Sequence, residues 1–158
     1  MRIVVMGVSG SGKSTLGAAM ADALGAVFVE GDRLHPPENV AHMAAGKSLD
    51  DDMRWPWLQA CGAELAGNDP IVLACSALKR SYRKLLRVYA PDVVFVYPKV
   101  DAETIRARME ARTDHYMPPS LLDSQLATLE EPEKDEAPIV VDASDSIENM
   151  VKSALYQL

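Results

Sequence analysis

Apolar positions along the chain come in two alternating kinds of run. Short continuous stretches at residues 3–6 (IVVM), 26–30 (AVFVE), 71–75 (IVLAC), 93–97 (VVFVY) and 139–142 (IVVD) have the length and the Val/Ile content of strands. Residues 3–6 are apolar at every position, as a strand covered on both faces requires. Between these runs the apolar residues space out by three and four. The first such set is Leu16, Ala19, Met20, Ala23 and Leu24, which predicts a helix that buries one face. Further helices are predicted at 38–45, stopped by Gly46, and from about Arg54 or Pro56 to Leu65, behind the N-capping acids Asp50, Asp51 and Asp52. Others follow at 79–89, at 101–112 behind Asp101, at 119–129 and at 146–158. Residues 113–119, ending in Pro118-Pro119, read as a mobile connector. Strands alternating with helices predict a single α/β domain over residues 1–158, with a five-stranded parallel sheet covered by helices on both faces.

The turn between the first strand and the first helix changes this from a fold into a chemistry. Gly7, Val8, Ser9, Gly10, Ser11, Gly12, Lys13 and Ser14 fit G-x-x-x-x-G-K-[ST]. Strand, glycine loop and helix stand in the order a phosphate-binding loop needs. Glycines let backbone N–H groups turn inward around an anion, and the helix N-terminus adds partial positive charge there. Lys13 can reach the β- and γ-phosphates, and the Ser14 hydroxyl can ligate Mg²⁺. A nucleoside triphosphate is therefore the expected ligand, in a three-layer phosphate-loop fold.

Composition narrows the partners. With 158 residues, 48% hydrophobic and 25% charged, the chain is ordinary for a globular domain, and its net charge of −7 argues against general nucleic-acid or anionic-membrane binding. No apolar run approaches a membrane span. A phosphate loop beginning at residue 7 leaves no room for a signal peptide ahead of it, and Cys61 and Cys75 have no metal-ligand spacing, so they read as reduced core residues in a cytoplasmic protein.

An acidic chain that handles phosphates must concentrate its cations, and it does so twice. Five of its 16 basic residues fall between Lys79 and Arg87, and Lys79, Arg83 and Arg87 share one helical face at the carboxyl edge of the third strand. Arg106, Arg108 and Arg112 end the helix that enters the 113–119 connector, which suits a lid closing over phosphates. Solvated helix faces and cations satisfying a helix C-terminus are the competing explanations of the two clusters. At the end of the second strand, Glu30 and Asp32 stand at alternate positions. One is placed to help hold Mg²⁺ through water, the other to accept a hydrogen bond from a substrate hydroxyl. His35 behind them either binds substrate or caps a backbone turn.

On these residues the chain resembles the gluconate kinases (gluconokinases) of the small phosphate-loop type. The matching motifs are GVSGSGKST (7–15), GDRLHP (31–36), PWL (56–58), CSALKRSYR (75–83), R-x-x-x-R-x-x-H from Arg108 through Arg112 to His115, and LLDSQLATLEEP (121–132). They span most of the chain in order, and GD-x-LHP with CSALK-x-x-YR is far more specific than the phosphate loop. The resemblance implies transfer of a phosphoryl group from Mg-ATP to the C6 hydroxyl of gluconate. It implies ATP binding by Gly7, Ser9, Gly10, Ser11, Gly12, Lys13, Ser14 and Thr15, with Arg108 and Arg112 as lid residues. Lys13, Asp32 and Arg112 are the expected catalytic groups, Ser14 and Glu30 the metal side, and Asp32, His35, Lys79 and Arg83 the substrate side. A homodimer is implied as well. Two departures stand out: Glu30 where the family usually carries Asp, and Met53 in place of the last acid before Arg54. Arg54 itself remains and can serve the gluconate carboxylate. A shikimate-kinase-like enzyme is the neighbouring alternative, though the third strand here ends in Cys-Ser-Ala-Leu-Lys rather than a glycine triplet. A nucleotide-dependent switch is the alternative of another class; against it, no N-K-x-D guanine motif occurs.

Overall fold

The computed structural model describes residues 1–111 and 119–158. Five parallel strands, β1 (Arg2–Val5), β2 (Val27–Glu30), β3 (Ile71–Ala74), β4 (Val94–Lys99) and β5 (Ile139–Asp142), form one sheet in the order β2-β3-β1-β4-β5. Alternate residues of a strand face opposite sides, so the continuous apolar runs feed two cores at once. On one side Ile3, Val5, Val72, Val96 and Val141 pack against Leu16 and Met20 of α1 (Lys13–Leu24) and Met150 and Ala154 of α7 (Ile147–Gln157). On the other side Val4, Met6, Leu73, Phe95 and Tyr97 meet the helices α3 (Asp51–Gly67) and α4 (Arg80–Tyr89). Ile3, Val4, Val5 and Met6 have no solvent exposure, which fits the central place of β1. The edge strand β5 alternates instead: Ile139 and Val141 are buried, while Val140 is exposed.

The remaining described helices are α2 (Pro37–Ala44), α5 (Ala102–Ala111) and α6 (Pro119–Thr128), with short 3₁₀ turns at Gly31–Leu34 and Lys134–Glu136. Two boundaries differ from expectation. Helix α3 begins about a turn earlier, at Asp51, because the Asp50 carboxylate caps the Met53 N–H at 2.8 Å. Pro56 therefore lies inside the helix, where its ring nitrogen removes one hydrogen-bond donor without stopping the helix. Strand β4 runs on to Lys99, because Tyr97, Pro98 and Lys99 pair with Val140, Val141 and Asp142 of β5. The expected connector at 113–119, together with Arg112, lies outside the described residues apart from Pro119, where α6 starts.

No helix among the described residues is long and apolar enough to cross a membrane. The chain leaves β1 on one side toward β2 and returns from β3 across β1 to β4. The carboxyl ends of the central strands thus bound the crevice where open α/β sheets take ligands.

Candidate active site

At that crevice the phosphate loop links β1 to α1. Gly12 caps the helix with φ of 85°, a left-handed conformation that disfavours side chains, and the Leu16 N–H bonds back to its carbonyl at 2.9 Å. The first turn of α1 contains no acid. Lys13 is only 8% exposed, and no anion among the described residues pairs with its ammonium group. The Ser11 hydroxyl is likewise buried, without a hydrogen-bond partner among the described residues. An unpaired buried cation beside an unsatisfied hydroxyl is an unfavourable arrangement until an anion arrives. Both features fit a bound triphosphate.

The opposite wall grows from the end of β2. Gly31 passes so close under β3 that a Cβ there would stand 2.3 Å from the Ala74 carbonyl oxygen, so only glycine fits at the start of GD-x-LHP. The 3₁₀ turn that follows projects Asp32 and His35 into the cleft, where they face Lys13, Arg54 and Trp57. The His35 ring stacks on Trp57 at a centroid distance of 4.2 Å and 15° between planes. Trp57 is anchored in turn by its indole N–H, which donates to the Gly31 carbonyl at 2.8 Å. Burial lowers the His35 pKa to about 4, against the pull of the neighbouring Asp32 carboxylate, so the ring is neutral at physiological pH.

Arg54, from α3, donates to the Tyr82 hydroxyl at 2.8 Å, and that hydroxyl donates to Asp51. The Tyr82 hydroxyl and then the Lys79 ammonium hold the Asp51 carboxyl below its ordinary range. Asp51 and Tyr82 thereby brace Arg54 at the cleft. The fourth wall is α6: the Gln125 amide oxygen accepts the backbone N–H of Ser9 in the phosphate loop at 2.8 Å. Arg108 of α5 lies over the same loop, donating to the carbonyls of Gly10 at 3.4 Å and Ala143 at 2.8 Å. Arg106 points elsewhere, pairing with Asp123 at 2.8 Å.

Two expected substrate residues lie outside the lining of the cleft. Arg83 has no exposure; its Nε and Nη2 hold both oxygens of buried Glu136 at 2.8 and 3.0 Å, and its Nη1 donates to the Ala77 and Leu78 carbonyls. It is a clamp beneath the site rather than an arm in it. Lys79 sits beside the cleft, paired with Asp51 at 3.1 Å, and faces a shallow groove along Asp50, Asp51 and Asp52. Glu30 does not line the cleft with Asp32. Its carboxylate turns back to accept the Asp32 N–H at 3.4 Å. Ser14 is half-buried and Thr15 exposed on the first turn of α1. The described residues contain no group of three or more His, Cys, Asp or Glu able to hold a metal by themselves. Magnesium bound with a triphosphate keeps most of its water and needs only one or two protein oxygens. The Ser14 hydroxyl and a carboxylate at the end of β2 suit that role. Asn39, Trp57, Tyr82 and Gln125 carry no expected role in the sequence reading. PWL, CSALKRSYR and LLDSQ contain three of them, but nothing in the pattern tells which side chain turns toward the loop.

Known proteins resemble this chain in both sequence and fold. A family model described as an AAA domain matches residues 3–132. The thermoresistant gluconokinase of Escherichia coli (strain K12) is 43% identical over 157 residues, covering 96% of this chain and 90% of that protein. The crystal structure of a gluconokinase from Sinorhizobium meliloti 1021 superposes with a TM-score of 0.91 at 50% identity, covering 99% of this chain and 90% of that one. Shikimate kinase from Aquifex aeolicus shares the fold at a TM-score of 0.69, with 21% identity over 99% of this chain and 95% of that one.

Proposed function

The chain belongs to the gluconokinase family, and from that premise we propose that it transfers the γ-phosphoryl group of ATP to the C6 hydroxyl of D-gluconate. The observation that carries this is Lys13, a buried cation with no counter-anion among the described residues, facing Asp32 across a cleft that also holds His35 and Arg54. Phosphoryl transfer asks mainly for positioning and for charge stabilisation. The phosphate-loop N–H groups and Lys13 hold the triphosphate, with Ser11 offering its buried hydroxyl. Arg54 takes the carboxylate of gluconate, a charge-assisted contact that fixes which end of the polyol points at the phosphate. Asp32 then accepts a hydrogen bond from the C6 hydroxyl. As the O6–Pγ bond forms and the bond from Pγ to the bridging oxygen breaks, the hydroxyl proton passes to Asp32 and ADP leaves.

The Ser14 hydroxyl, and through water Glu30 once its carboxylate swings away from the Asp32 N–H, would hold Mg²⁺, which would screen the phosphate charges. Arg108 over the loop supports a role on the nucleotide, and Arg112 completes that reading as the lid arginine. ATP chemistry and the free thiols of Cys61 and Cys75 suit a cytoplasmic enzyme, and the resemblance adds a homodimer, which light scattering would test.

A coupled assay for ADP release tests the substrate. Gluconate should drive turnover, while shikimate and buffer alone should leave only background. Equal rates with and without gluconate would overturn the reading.

A further inference from the structure

Asn39 is 2% exposed on α2, a polar side chain with no part in the reaction described above. Its amide nitrogen stands 3.0 Å from the Met53 carbonyl oxygen and 3.2 Å from Nδ1 of His35. A carbonyl can only accept, so the group facing Met53 is the NH₂ and not the amide oxygen. That NH₂ has two N–H bonds, and the second points at the imidazole. A ring nitrogen that meets an N–H must offer its lone pair. A neutral imidazole carries one proton, so the proton resides on Nε2.

We propose that Asn39 is a positioning residue that locks His35 in the Nε2–H tautomer, making the ring a hydrogen-bond donor toward the substrate polyol. The inference rests on the gluconate reading for its ligand, though the tautomer itself does not. The ring has little freedom to escape the arrangement. Trp57 stacks on its face, and Trp57 is itself tied to Gly31. The charged groups facing the ring are Asp32 on its own turn and Arg54 from α3, which act in opposite senses, while burial keeps the ring neutral. Across one cleft the polar groups are then complementary. Asp32 accepts, and His35 and Arg54 donate. Successive hydroxyls of a sugar acid can satisfy such a set in one orientation, with an oxygen lone pair at the His35 position. A substrate carrying an ammonium group there has no lone pair to offer and would be rejected.

The test begins with unmodified protein. Long-range ¹H–¹⁵N correlation spectra, with His35 assigned through His35→Gln, should show Nδ1 unprotonated and Nε2 protonated at pH 7. A protonated Nδ1 in the wild-type chain would overturn the proposal outright, whatever any variant does. Asn39→Asp replaces the donor with a carboxylate that can only accept, so Nδ1 should become protonated. The KM for gluconate should then rise roughly tenfold or more, the scale of about 1.4 kcal/mol lost at one polar contact, with the KM for ATP within about twofold of wild type. A KM for ATP that rises equally would mean a structural residue and would also overturn the proposal. If the wild-type chain ignored gluconate while Nε2 carried the proton, the substrate reading would fail and the tautomer would stand.

Discussion

At the scale of single residues, charge type and position do not separate a substrate arm from a structural clamp. Arg54 and Arg83 both stand near the carboxyl edge of the sheet. Arg54 ends in the cleft with one hydrogen bond to Tyr82, whereas four contacts to Glu136, Ala77 and Leu78 consume Arg83. Breaking a buried ion pair from one side leaves an uncompensated charge and costs about 3–5 kcal/mol. Arg87 also reaches Glu136, at 3.2 Å, so Arg83→Met should lower unfolding stability by less than that, about 1–3 kcal/mol, and leave the KM for gluconate near wild type in whatever folds. Arg54→Met should do the reverse, with near-normal stability and a KM for gluconate raised by about tenfold or more, as loss of a charge-assisted bond implies. Urea unfolding and steady-state kinetics on both variants decide it, and a large KM effect confined to Arg83→Met would return that residue to the substrate side. The sequence could not foresee the distinction, because the partner of Arg83 lies 53 positions later in an acidic, proline-containing stretch, where no local rule pairs the two.

At the scale of elements, what the pattern showed best were the strands and the phosphate loop, since continuous apolar runs and glycine spacing are local signals. It showed least where one element reaches another. The capping bond of Asp50 moved the start of α3, and the contact from Gln125 to Ser9 spans 116 positions, so no local rule contains it. The 3₁₀ turn at Gly31–Leu34 is another such case. Read as a plain strand end, Glu30 and Asp32 would point the same way into the site. The turn instead sends Asp32 into the cleft and folds Glu30 onto the Asp32 N–H. The two carboxylates should accordingly separate in a magnesium titration. Asp32→Asn keeps size but loses the acceptor charge, and should lower kcat on the order of 10²-fold with little change in the Mg²⁺ needed for half-maximal rate. Glu30→Gln should raise that Mg²⁺ requirement and lose less at saturating metal. A reversed pattern would exchange the two roles.

At the scale of the whole molecule, a net charge of −7 is compatible with phosphate chemistry because the sheet gathers cations at one end. Lys13 from the start of α1 and Arg54 from α3 share one cleft at the end of the sheet, and Arg108 from α5 reaches the Gly10 carbonyl of the phosphate loop beside it. That gathering was readable in outline, since each cation follows a strand or helix end in the chain. Which of them stays unpaired was not readable, because pairing depends on acids from distant segments. The unpaired state has a thermodynamic consequence. Lys13, buried with no counter-ion among the described residues, contributes an unfavourable term that a bound triphosphate removes. ATP at about 100 times its dissociation constant should add about 2.7 kcal/mol of stability, an increase in Tm of about 5–10 °C for a domain of this size. Lys13→Ala deletes the buried charge and the anion contact together. Its Tm without ligand should not fall, and its ATP-induced shift should vanish along with turnover. Thermal unfolding of both chains, with and without Mg-ATP, reads all of these at once. A variant that kept the full ATP shift would remove Lys13 from the nucleotide site, and one that lost stability without ligand would make the lysine a structural residue.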